Sequence, residues 1–181
     1  LEQERIAKSL GEGPRLLRGI AGTGKTLIML FRAKMIAANN EDINILILCW
    51  NASLANYMRQ AYDMIDFEAN ARVTITNFSE FARKLVGCDQ DAPRFQRILN
   101  RFKPSPADRF DAIYVDEAQD FRREWIEFLY HKLLKGKPED RNLLVAADDA
   151  QRIYCDRDFR WADLGIPMRG RSKILKTVYR K

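Results

Sequence analysis

Two short stretches hold the residue types that phosphate chemistry needs. The first, GIAGTGKT (residues 19–26), fits the pattern GxxxxGK[ST]. Gly19, Gly22 and Gly24 let a backbone curl until several N–H groups point inward at phosphate oxygens. A helix beginning near Lys25 would add the positive end of its dipole. The Lys25 ammonium then suits β- and γ-phosphates, and the Thr26 hydroxyl suits a magnesium ion. With Ala21 and Thr23, these residues form the candidate nucleotide loop. The second stretch, IYVDEAQDF (residues 113–121), runs from apolar residues straight into adjacent carboxylates. Asp116 can hold the metal, and Glu117 can take a proton from an attacking water. Successive side chains of a strand point to opposite faces, so the two acids need not share one task. Of the three acids here, Asp120 is the best suited to cap the helix that follows.

Chemistry of this kind needs strands to aim it. The chain alternates helical patterns with short apolar runs. Helices are predicted over 2–10, 26–38, 51–65, 78–86 and 122–135, and strands over 14–20, 43–50, 71–76, 110–115, 141–147 and 172–179. The stretch 87–109 reads as loop with one short helix near RFQRILNRF. Strands apolar on both faces and separated by helices imply an α/β fold with a mostly parallel sheet covered on both sides. Such sheets bind ligands beyond the carboxyl ends of their strands, which is where both motifs fall. The 110–115 strand is expected beside the one that enters the glycine loop.

Composition limits the alternatives. At 181 residues, 46% hydrophobic and 31% charged, the chain reads as one globular domain. Its longest apolar runs are strand-length, too short for a membrane-spanning helix. Three scattered cysteines (Cys49, Cys88, Cys155) argue for a reducing, cytoplasmic setting and against a disulfide framework or zinc site. The one histidine, His131, lies in a helical pattern, which leaves nothing for histidine-based catalysis. The net charge of +6 is concentrated: residues 152–181 hold nine Arg or Lys against three Asp, and the remainder cancels. That segment suits a polyanionic partner, or is simply a solvated tail.

Taken together, GIAGTGKT and DEAQD resemble the UvrD/Rep-like branch of superfamily 1 helicases, over nearly the whole chain and in the family's motif order. The resemblance implies a RecA-like P-loop NTPase fold, a three-layer sandwich, spanning residues 1–181 as the first of two motor domains. It implies ATP and Mg2+ as cofactors and single-stranded DNA as partner, with RNA not excluded. Gln3 matches the family's adenine-reading glutamine. LCWNASLANYMR (48–59) resembles the motif that lays Trp50 and Asn51 against the strand, and TITNFSEFARKL (74–85) the next one, with Phe78. ADDAQRIY (147–154) is similar to the family's GDxxQxIY, in which Gln151 senses the γ-phosphate and Tyr154 couples it to DNA. TVYRK (177–181) resembles the motif whose arginine, here Arg180, reaches the γ-phosphate. Trp161 is the expected base-stacking residue, with Tyr154 and Phe159 as alternatives.

Departures from the family's pattern are Ala147 for glycine, Val178 for asparagine and Ser79 for histidine. Only 37 residues separate Phe78 from Asp116, so 87–109 is expected to be a remnant of the accessory subdomain many relatives carry. The chain starts with Leu and stops one residue past Arg180, and is expected to be a piece lacking the second RecA-like domain. On that expectation it binds MgATP, hydrolyses it very slowly and does not unwind. A P-loop ATPase switch or regulatory module without unwinding is the alternative.

Overall fold

A computed structural model describes residues 2–66, 71–148 and 160–178. Six strands form one sheet: β1 (Arg15–Gly19), β2 (Asn44–Cys49), β3 (Arg72–Asn77), β4 (Ala112–Val115), β5 (Asn142–Asp148) and β6 (Ser172–Ile174). Their order is β3-β2-β4-β5-β1-β6, and all five pairings are parallel. This is a RecA-like P-loop α/β fold. It corrects one expectation, because β4 is not the neighbour of β1. β5 lies between them, pairing Leu144 with Leu16's neighbour Arg15 on one side and with Tyr114 on the other. Its middle residues Leu143–Ala146 are buried, as an interior strand of a doubly covered sheet requires.

The helices α1 (Glu2–Ser9), α2 (Lys25–Asn39) and α3 (Ala52–Asp63) cover one face of the sheet. The helices α4 (Phe78–Val86), α5 (Phe95–Arg101) and α6 (Arg123–Phe128) cover the other. The alternation inside β4 explains the two cores: Ile113 and Val115 enter the α4–α6 side, while Ala112 and Tyr114 enter the α1–α3 side. The α4–α6 side is aromatic. Trp125 is nearly parallel to two rings, Phe78 at 4.4 Å and Trp50 at 6.0 Å, with Phe95 and Phe121 edge-on.

Local caps set where the helices begin. Asn51 accepts the Leu54 N–H at 2.8 Å to start α3, and Asn77 accepts the Glu80 N–H at 2.9 Å to start α4. The predicted helix over 122–135 is α only as far as Phe128. Leu129–Leu133 continues as a π turn, and Phe110 then bridges Leu134 in parallel. Asp120 does not cap α6. It closes a 3-10 turn over Ala118–Asp120, and the cap position is Arg122, which makes no side-chain cap bond. The last strand is three residues long rather than eight.

Candidate nucleotide site

β1 ends at Gly19, and the chain turns through Ile20–Gly24 into α2. Gly22 (φ 83°) and Gly24 (φ 82°) adopt the left-handed conformation that favours glycine. Gly19 is needed for a different reason. A Cβ there would stand 2.8 Å from the Thr23 hydroxyl and 2.9 Å from the Leu175 carbonyl oxygen. The loop thus closes on itself, with the Thr23 hydroxyl donating to the Ile20 carbonyl at 2.8 Å. α2 starts on Gly24 without a side-chain cap, so its first amides remain available to an anion. Lys25 is buried, and its Nζ donates to the carbonyls of Gly19 (2.8 Å) and Ile20 (3.1 Å).

Gln3 reaches this loop from α1. It is 8% exposed, and its side chain lies 3.2–3.3 Å from where a Cβ on Gly24 would stand. α1 is fastened by Arg32 of α2, whose guanidinium donates to the carbonyls of Ala7, Leu10 (2.6 Å) and Gly11 (2.9 Å). These bonds satisfy the orphan carbonyls at the end of α1 and bury a charge that has no carboxylate partner among the described residues.

Asp116 follows β4 and is fully buried. The Thr26 hydroxyl donates to its Oδ2 at 2.6 Å, joining residues 90 apart in sequence. Burial pushes the Asp116 carboxyl up to about 6. The neighbouring Glu117 charge adds to the rise, while the Thr26 hydroxyl, the Glu117 amide and Lys25 oppose it. Glu117 is the one non-glycine residue at positive φ among the described residues (φ 51°, ψ 47°). Left-handed backbone at such a residue costs about 1–3 kcal/mol and tends to mark functional sites. It changes the account of the paired acids. Glu117 parts from Asp116 because the chain turns left-handed there, not because a strand alternates.

Gln119 holds Glu117 in place. Its Nε2 donates to Glu117 Oε2, and its Oε1 accepts the amide of Asp148, the last residue of β5, at 3.2 Å. Asp148 itself pairs in register with Gly19. One amide therefore ties the base candidate to the strand between the two motifs. This positioning role was missed from sequence, where the only available signal was an amide two residues after the glutamate.

The nucleic-acid candidates fare unevenly. Phe78, expected to lie against the strand, has its ring 1% exposed and stacked on Trp125 inside the core. An apolar ring gains more from this aromatic stack than from solvent. Trp50 is the partly exposed outer plate of the same stack. Asn51 is exposed, with its Oδ1 engaged as the α3 cap. Trp161 opens a 3-10 turn over Trp161–Leu164 and packs partly against the α4–α6 core. Gln151, Tyr154, Phe159 and Arg180 lie outside the described residues.

A hard divalent cation fits the donor set. Thr26 and Asp116 offer one hydroxyl and one carboxylate oxygen side by side, and Mg2+ commonly takes one or two protein ligands beside phosphate and water. Among the described residues no group of three or more His, Cys, Asp or Glu could hold an ion, and no helix is long and apolar enough to cross a membrane.

A parallel sheet with a glycine loop entering a helix, and a buried aspartate meeting that helix's first hydroxyl, defines a P-loop nucleotide-binding domain. A family model described as an AAA domain matches residues 2–157, and the chain belongs to that family. No curated protein matches the chain.

Proposed function

We propose that this chain is the ATP-binding motor domain of an ATP-dependent DNA helicase or translocase of the UvrD/Rep-like kind, hydrolysing MgATP to move on single-stranded nucleic acid. The observation carrying the reading is the Thr26–Asp116 contact with Glu117 turned beside it and pinned through Gln119. In this reading Lys25 and the loop amides bind the phosphates, and Gln3 meets the adenine edge above Gly24. Thr26 and Asp116 hold the magnesium, which supplies positive charge to the phosphate oxygens. Glu117 accepts the proton of the attacking water, and Gln119 keeps its carboxylate aimed. Gln151 and Arg180 are the proposed γ-phosphate contacts.

Trp50 supports the nucleic-acid half of the reading. It is a partly exposed ring backed by Trp125, on the same rim as Asp116, and a base stacked on such a ring is worth about 1–3 kcal/mol. Tyr154 and Trp161 remain further proposed stacking positions. A second RecA-like domain is the proposed partner in catalysis. Arginines supplied across a nucleotide typically raise phosphoryl-transfer rates by ~10³–10⁵, so the 181 residues by themselves are expected to turn over slowly.

The test pairs nucleotide binding with turnover. Glu117→Gln should bind a fluorescent ATP analogue as tightly as wild type, while MgATP hydrolysis falls by roughly 10²–10⁴. Trp50→Ala should weaken single-strand binding without changing nucleotide affinity. Equal turnover in wild type and Glu117→Gln would remove Glu117 from the chemistry. A chain that binds nucleotide but no single strand, DNA or RNA, would leave a P-loop switch in place of a motor.

A further inference from the structure

A second charged surface lies far from the nucleotide loop. A groove of about 710 Å³ opens between the end of α5, the loop after it and the π turn, and Arg101, Lys103, Arg109 and Lys132 line it. It sits at the rim where the strands begin. Phe110 just before β4 receives its backbone bond from Lys135, beyond the π turn. Asp116 lies past the other end of β4, so the whole strand (roughly 13 Å at 3.3 Å per residue) stands between groove and nucleotide site.

The groove continues along α5. Arg94, Arg97 and Arg101 recur at spacings of three and four, one helical face, and all three are exposed. The opposite face carries the buried Phe95 and Leu99. Residues 92–107 contain four cations and no acid. The neighbouring acids are mostly spent elsewhere: Asp89 pairs with Arg83 at 3.1 Å, Asp108 caps its own turn through Ser105, and Asp111 pairs with Lys135 at 3.0 Å. Arg94, Arg97, Arg101, Lys103 and Arg109 have no side-chain partner among the described residues.

Lys132 completes the arrangement by a different route. Its Nζ donates to the carbonyls of Leu99 (2.8 Å), Asn100 (2.8 Å) and Phe102 (3.0 Å), the C-terminal end of α5. That end of a helix carries partial negative charge and repels anions. Bonded there, Lys132 cancels the repulsion and leaves the remaining cations unopposed. Phe102, partly buried and tilted against Phe128 at 5.9 Å, gives the groove an aromatic wall.

We propose that the α5 face and its groove form a second nucleic-acid site, which binds the phosphate backbone at the rim opposite the nucleotide loop. From Arg94 to Arg101 the face is about 10 Å long at 1.5 Å per residue, close to three phosphate steps along one duplex strand. A row of uncompensated cations beside an aromatic matches backbone recognition better than it matches a compact ligand. The inference shares with the proposed motor only its choice of a nucleic acid as partner.

The test is fluorescence anisotropy with labelled single-stranded and duplex oligonucleotides across a salt series, on the wild-type chain and Arg97→Gln/Arg101→Gln/Lys103→Gln. Binding of a fluorescent ATP analogue, read in parallel, reports on the nucleotide site independently and should not change. Loss of three backbone contacts should lower the log-log salt slope by about 2 on single strands and by roughly 3 on duplex, and whichever form shows it is the form bound. Single-strand affinity at 0.1 M salt should fall roughly 100-fold. Replacing the same residues Arg→Lys should restore most of the slope. Unchanged slope and affinity overturn the site. So does a polyglutamate peptide of matched charge that binds wild type as tightly as the oligonucleotide and loses binding in the triple variant, because the groove then serves an acidic protein segment.

Discussion

Asp116 shows how a residue can suit its chemistry and oppose folding at once. Its carboxyl is fully buried and pushed up to about 6 from an ordinary 3.8. A carboxyl raised in this way binds its proton more tightly in the folded chain than in the unfolded one. The contribution of this carboxyl to stability is therefore fullest below about pH 4 and falls as pH rises towards 6. A shift of that size amounts to about 3 kcal/mol. Asp116→Asn keeps an oxygen for the Thr26 hydroxyl and removes the buried charge. Urea unfolding from pH 4 to pH 7 should show the variant gaining on wild type by about 3 kcal/mol across that window. A constant difference would mean that the ionised carboxylate is fully compensated in place. Legibility at this scale was uneven. That two adjacent acids close the β4 run could be read from DEAQD. The cause of their separation could not, since the left-handed turn at Glu117 and its tether through Gln119 depend on where β5 ends.

Among the elements, α1 depends most on a single side chain. The helix is eight residues long, shorter than helices that persist alone in water. Arg32 holds it through three carbonyls, and α1 in turn carries Gln3 to Gly24. Arg32→Ala should destabilise the chain by roughly 2–3 kcal/mol, the scale of lost charge-assisted bonds. If Gln3 meets the base as proposed, the substitution should also weaken ATP more than it weakens inorganic triphosphate. Thermal melts and competition binding with the two ligands check both halves. Equal loss for ATP and triphosphate would place the damage in the glycine loop instead. Element boundaries were readable to within a residue or two for α2, α4 and β2. α6 was overextended because its apolar spacing runs on through the π turn, which a helical periodicity does not distinguish.

Across the whole molecule, the glycine loop, Asp116, Glu117 and Trp50 all follow strands of one sheet and share one rim. The two cores lie on opposite faces of that sheet and meet only through it. Unfolding should thus be one cooperative transition, and a ligand on the rim should stabilise all of it. MgATP at 100 times its dissociation constant adds about 2.7 kcal/mol by mass action. For a chain of this size that is a rise of roughly 5–10 °C in Tm. Calorimetry with and without MgATP checks this, and a melt that splits into two steps would show the faces unfolding separately.

The sequence by itself determined the class of chemistry. GxxxxGKT between a strand and a helix names a nucleotide phosphate loop whatever surrounds it, because the residue types carry the chemistry and the runs on both sides carry the sheet. Tertiary structure decided the rest. β5 entered between β4 and β1, Phe78 went to the core and Trp50 to its edge, and five cations with no side-chain partner among the described residues gathered at the far rim. Apolar patterning specifies that a strand or ring is buried, but not beside which neighbour, and charge counting cannot tell which acids are already engaged. Those choices are made only when the whole chain packs.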